Sequence, residues 1–206
     1  MIPRLTALLA ALALGAAAPA ALGQSAPADK GASSQTSSDK SSSQAQKKGG
    51  LAKQDQQYLR DLAQANMAEI EAGKLAQQHA SAEEVKDYGE QMVEDHGNML
   101  EEQTELAQSK GMQLPKQPNK EQQAAMKTLK EAKGAQFDRA FMSQMVRDHE
   151  KALKLAQNAA KNAKDPELKA MAQEAAPEIQ KHLQMAKQLS DKASAGASAK
   201  PSKQGK

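Results

Sequence analysis

The 206-residue chain predicts an all-α protein, a bundle of four main helices with a short helix in one connection. Three observations carry this. Between Leu51 and Ser190 the chain is mostly Ala, Leu, Met, Gln, Glu and Lys, while strand-favouring Val, Ile, Thr, Tyr and Phe are scarce. Apolar residues recur at three and four, not at two. Start and stop residues divide these stripes into separate segments.

The first helix is predicted over 52–80, with Leu59, Leu62, Ile70 and Leu75 at roughly helical spacing. The second is predicted over 82–110 and carries Val85, Tyr88, Met92, His96 and Met99 as one stripe. Ser81-Ala82-Glu83-Glu84 reads as a capping box at its start, and Gly111 as the stop beyond its end. Pro115 and Pro118 mark a connector, in which Asn119 and Gln122 open a short helix that ends near Gly134. The third long helix, over 135–163, has Phe137, Phe141, Met145, His149 and Ala152 on one face. The last, over 166–190, opens on Asp165-Pro166, an N-cap with proline at the first helical position. Its stripe is Leu168, Ala172, Ala175, Ile179, Leu183 and Ala186, and Pro177 inside it predicts a kink. Two hairpins joined by one longer connection match the ferritin-like variant of the four-helix bundle. A plain up-down bundle is the alternative, and the two differ in whether the connector crosses the bundle's full length.

The flanks have another character. One basic residue, Arg4, precedes the apolar run Leu5–Ala18, and Ala21-Leu22-Gly23 supplies small residues where a signal peptidase cuts. This predicts an export signal over 1–23, and the apolar run is shorter than the roughly 20 residues of a membrane-spanning helix. The mature chain is therefore expected in the periplasm or secreted, with no transmembrane anchor after cleavage. With no cysteine it has no disulfide and no lipid-bearing Cys. Residues 24–50 are Ser, Ala, Gln, Lys and Gly, with too little apolar surface to offset ordering, and predict a disordered linker. Residues 191–206 read as a disordered tail for the same reason. This leaves 51–190 as one domain.

A formal net charge of +3 is small and spread along helices on which Lys alternates with Glu and Asp. There is no basic stripe or aromatic platform, which points away from nucleic acid. The Lys-rich ends suit contact with an anionic envelope polymer. No Gly-rich phosphate loop or nucleophile elbow is present.

The clearest motif is internal. Gln91-Met92-Val93-Glu94-Asp95-His96 recurs as Gln144-Met145-Val146-Arg147-Asp148-His149, midway along the second and third long helices. The four histidines fall one to each main helix. His79 lies at a helix end, whereas His96, His149 and His182 share a middle layer at the 1.5 Å rise of a helix. Asn66 and Glu69 occupy that layer on the first helix, and Glu178 lies one turn before His182. Imidazole and carboxylate suit Fe, Cu or Zn. Met92 and Met145, four residues before a His each, add thioethers of the kind that favour Cu(I), although Met is also the common filler of irregular cores. Asp95 and Asp148 point about 100° from the adjacent His and are placed to bond elsewhere. The di-iron signature, Glu three residues before His, is missing: those positions are Ala76, Val93, Val146 and Ile179.

Several stretches together resemble a family of exported bacterial proteins known as domain of unknown function 4142, assigned to the ferritin-like group. They are Glu71–Ala76, Val85-Lys86, Gln91–His96, Gly111–Pro115, Phe137–Phe141, Met145–His149, and Pro177 with His182-Leu183. The resemblance implies a ferritin-like four-helix fold and an envelope location, and it brings no activity with it. The reading that results is a periplasmic, non-enzymatic bundle that holds a metal ion or small ligand at its histidine layer. A ferritin-like metal-dependent redox enzyme and a structural envelope protein are the alternatives. Nothing in the sequence fixes an oligomeric state.

Overall fold

The computed structural model describes residues 50–198. The expected export signal, all but the last residue of the linker, and residues 199–206 lie outside them. The described residues form five helices and no strand: α1 (Lys53–His79), α2 (Glu83–Ser109), α3 (Lys120–Glu131), α4 (Gly134–Asn162) and α5 (Pro166–Ser198). No helix among them is long and apolar enough to cross a membrane.

Several boundaries follow from local chemistry. Gly111, at φ +68°, ends α2 in a Schellman turn: its amide donates to Gln108 O and the Met112 amide to Ala107 O. Asn119 and Gln122 form the predicted reciprocal capping box of α3. Asp165 Oδ1 accepts from the Glu167 and Leu168 amides and so caps α5.

Other expectations are corrected. Ser81 does not cap α2; the N-cap is Ala82, which offers no side-chain acceptor. The exposed amides of this turn are instead served from another helix, where Asp138 of α4 accepts from Ser81 N, Ser81 Oγ and Ala82 N. Gly134 does not end α3, which stops at Glu131; with φ +57° it is the first residue of α4. Helix α5 runs on to Ser198, through residues expected in the disordered tail. Alanine, the best helix former, recurs in this extension, and Lys192, Ala193 and Gly196 line a groove against the starts of α2 and α4. Pro177 lies within α5, which continues past it as one element.

Helices α1 and α2 form one hairpin and α4 and α5 another; α1 packs beside α4, α2 beside α5, and α3 lies against α1 and α4. Polar contacts fix the ends. Lys110, after α2, pairs with Asp165 and Glu167 at the start of α5, while Asp55 of α1 accepts from the Lys164 and Asp165 amides. The start of α4 lies at the other end, against the α1–α2 turn, through Asp138 and a Lys133–His79 contact. The connector of residues 110–133 therefore runs the bundle's full length. As a result α2 and α4 point the same way and sit diagonally across the bundle.

Helices α1 and α2 approach each other closely where they cross. A Cβ on Gly73 would lie 2.5 Å from Gly89 O, and one on Gly89 would lie 2.6 Å from the Ala76 Cβ. Only hydrogen fits at either position. The buried face of α1 follows this approach: Leu59, Leu62, Ala63, Asn66, Glu69, Gly73 and Ala76 are buried. Ile70 and Leu75, placed on that face by the sequence pattern, are only half-buried, as are Met99 and Ala175 on their own stripes.

Candidate metal centre

Each of the four long helices contributes one titratable side chain to the middle of the bundle. Glu69, His96, His149 and His182 come from α1, α2, α4 and α5, and none is more than 1% exposed. The imidazole centroids are 5.4 Å apart for His96–His149, 5.2 Å for His96–His182 and 5.6 Å for His149–His182. One ring nitrogen from each of the three lies within 4.8 Å of the others.

Hydrogen bonds to the surrounding helices assign the ring protons. His96 Nδ1 lies 2.9 Å from Asn66 Oδ1, and the Asn66 amide nitrogen donates to Gln103 Oε1 at 3.0 Å. The amide oxygen thus accepts, and His96 Nδ1 carries the hydrogen. His149 Nδ1 donates to the Met145 carbonyl at 2.9 Å. His182 Nε2 donates to Asp95 Oδ2 at 2.9 Å, with Glu178 Oε1 at 3.3 Å. The other ring nitrogens are Nε2 of His96, Nε2 of His149 and Nδ1 of His182, and in a neutral ring each holds a lone pair. These three atoms, with both oxygens of Glu69, are buried and lack a hydrogen-bond partner.

Glu69 Oε2 lies 2.7 Å from His96 Nε2 and its Oε1 lies 3.5 Å from His149 Nδ1. A carboxylate oxygen at 2.7 Å from a nitrogen lone pair is repulsive unless a cation or proton sits between them. Burial alone would raise the Glu69 carboxyl; the facing His149 and His96 rings outweigh it and hold the group at about 2, ionised. Burial pushes two of the imidazoles the other way. It lowers His149 against the pull of Glu69, and with the His96 ring it holds His182 at about 4 despite Asp95. Burial also raises the Tyr88 hydroxyl, which donates to the His182 carbonyl at 3.3 Å.

The predicted candidates separate into three groups. His96, His149 and His182 converge, and Glu69 lies against two of them. Glu178 is half-buried and faces the outer nitrogen of His182, where it forms a second, outer group with Asp95. Met92 and Met145 lie in the apolar cluster with Tyr88, Phe137 and Phe141, one turn before their histidines. Asp95 bonds a neighbouring helix, as its wheel position predicts, whereas Asp148 accepts from Gln144 on its own helix. His79, at the end of α1, stands apart with Lys133 and Phe137. Sequence reasoning placed Tyr88 on an apolar stripe and assigned Gln103 no role; neither stands at a ligand-like spacing.

Such an arrangement has the parts of a mononuclear metal site. One nitrogen from each of three imidazoles lies within 4.8 Å of the others, each ring is turned by a hydrogen-bond acceptor, and the Glu69 carboxylate stands beside His96 and His149.

The family model described as Domain of unknown function (DUF4142) matches residues 40–189, and the chain belongs to that family. No curated protein and no solved structure matches the chain significantly.

Proposed function

We propose that this family member is an exported envelope protein of ferritin-like topology whose bundle holds a single transition-metal ion on His96, His149, His182 and Glu69. The observation that carries the reading is the close approach of three buried imidazoles beside Glu69, with ring nitrogens and both carboxylate oxygens left without hydrogen-bond partners. A buried polar atom left unsatisfied costs about 1–3 kcal/mol, and several together are kept only where something binds them. An ion would satisfy all of them at once.

The donor set favours zinc or iron. Imidazole and carboxylate suit both, and the thioethers that would select Cu(I) pack among apolar side chains. The absence of any Glu three residues before a His speaks for one ion rather than a carboxylate-bridged pair. The full-length connector supports the ferritin-like topology, and the basic–apolar–small order of residues 1–23 supports export.

Metal analysis of tag-free protein tests the site, with Co(II) substitution as a spectroscopic check. One ion per chain is expected, lost in the His96→Ala/His149→Ala double variant. Equal metal content in both proteins, or none in either, overturns the proposal. A mature N-terminus at Gln24 in the periplasmic fraction is the matching test of export.

A further inference from the structure

The centre is enclosed by four helices, yet Glu69 also lines a cavity of about 370 Å³ between α1, α3 and α4. Its carboxylate oxygens are buried without a hydrogen-bond donor and stand against His96 and His149, so Glu69 is the wall between the cavity and the centre. The walls include Asp61 and Ala65 of α1, Ala125 of α3 and Asp148 of α4. Asp61 lies two turns before Glu69 on one face, and among the described residues its carboxylate accepts from the neutral Gln57 amide. Asp148 likewise accepts from neutral Gln144.

Two cations also line the cavity. Lys151 is paired with Glu121 at 2.6 Å, and the Arg147 guanidinium turns to Ser143 and Gln144. Counting the lining, four carboxylates (Asp61, Glu69, Glu121, Asp148) face two cations (Arg147, Lys151), so the cavity and its floor are net negative. A low-dielectric cleft of one sign concentrates ions of the other.

A second depression, on the α2–α5 side, is lined by Asp95, Glu102, Glu174 and Glu178. Its Asp95 and Glu178 face the outer nitrogen of His182, which donates to Asp95. An ion entering there would find the back of an imidazole rather than a lone pair.

We infer that the α1–α3–α4 cavity is the loading port of the metal centre: a divalent cation enters past Asp61 and Asp148 and is taken first by Glu69. The inference rests on the metal reading above, and its signature is kinetic. A port residue changes association and dissociation rates together and leaves the equilibrium constant alone, whereas a ligand changes the equilibrium constant.

Stopped-flow Co(II) binding to the full chain, with chelator-driven release, measures both rates. Ala125→Leu narrows the port and is expected to slow uptake and release at least tenfold, with Kd unchanged within about threefold. Asp61→Asn is expected to slow uptake about three- to fivefold at low salt, an effect that disappears at about 0.5 M salt. Ala175→Leu, on the α2–α5 side, should leave both rates as in the parent. Should Ala125→Leu not fold, Asp61→Asn carries the test.

Parent rates in both Ala125→Leu and Asp61→Asn, or slowing by Ala175→Leu alone, overturn the port while Co(II) binding itself stands. A parent protein that takes up no Co(II) overturns the metal reading and the port with it.

Discussion

Replacing Gly89 with alanine should destabilise the bundle and loosen its centre, while the same change at Gly97, two turns along the same helix, should stabilise it. A Cβ at Gly89 would meet the Ala76 Cβ at 2.6 Å and Gly73 O at 2.9 Å; one at Gly97 meets nothing within 4 Å. Carbon atoms rest about 3.5–4.0 Å apart, so α1 and α2 must separate by about 1 Å to admit the new methyl. Alanine gains about 1 kcal/mol over glycine in a helix interior, and overpacking costs about 1–3 kcal/mol. The net expectation is a loss of up to about 2 kcal/mol for Gly89→Ala and a gain approaching 1 kcal/mol for Gly97→Ala. The same separation would stretch the 2.9 Å His96–Asn66 bond and the 2.7 Å His96–Glu69 contact, which span these two helices. Metal affinity should therefore fall with stability in Gly89→Ala and hold in Gly97→Ala. Urea denaturation and Co(II) titration measure the two effects. Shifts of the same sign in both variants would show that the close approach does not set the helix spacing.

Four other outcomes are expected. Asn66→Leu removes the acceptor that fixes the His96 proton and should weaken metal binding about 10–100-fold, read by competition with a chelating dye; unchanged affinity would refute the tautomer assignment. Because His182 is held at about 4, it stays neutral in the folded chain while the unfolded chain takes up a proton below about pH 6.5. Its contribution is thus complete above pH 6.5 and is lost as pH falls to about 4, by about 3 kcal/mol; urea titrations in chelator should show this loss, and His182→Gln should remove most of it. Met92→Leu and Met145→Leu should each cost less than about 1.5 kcal/mol and leave metal affinity unchanged, and a lost Cu(I) affinity would instead restore the thioethers as ligands. Asp138→Ala strands the Ser81 and Ala82 donors and should lower stability by about 2–3 kcal/mol in urea, with metal uptake intact.

The parts of this structure that could be read from the sequence are those where one residue type has one local use. Asp165-Pro166, Gly111 and the Asn119–Gln122 pair each act within a few residues of themselves, and each acts as predicted. Axial height could be read too, because rise per residue is fixed: His96, His149 and His182 meet at mid-bundle and His79 does not. Facing was harder to read on α1. Its inner surface carries Asn66, Glu69 and Gly73, which a search for apolar stripes passes over in favour of Ile70 and Leu75. The capping of α2 was illegible for a related reason. Its acceptor, Asp138, lies 56 and 57 residues away in sequence, whereas Ser81 had the right spacing and no need to serve.

The repeated hexapeptide shows how connectivity and chemistry depend on each other. In a plain up-down bundle the second and third long helices would be antiparallel neighbours, and a motif copied from one to the other would point its His in the opposite axial direction. The full-length connector makes α2 and α4 parallel instead and sets them across a diagonal. Two copies of one motif can then approach a common point in the same sense, and in both His96 and His149 Nδ1 donates, to Asn66 and to the Met145 carbonyl, and leaves Nε2 buried without a partner. His182 arrives on α5, which returns antiparallel to α4, and it uses its nitrogens the other way round: Nε2 donates outward to Asp95 and Nδ1 faces in. Glu69 closes the fourth side from α1 at the level set by the Gly73–Gly89 contact one turn away. The convergence of lone pairs therefore follows from helix direction as much as from residue identity. The same four side chains at the same heights on differently connected helices would not present them to a single ion.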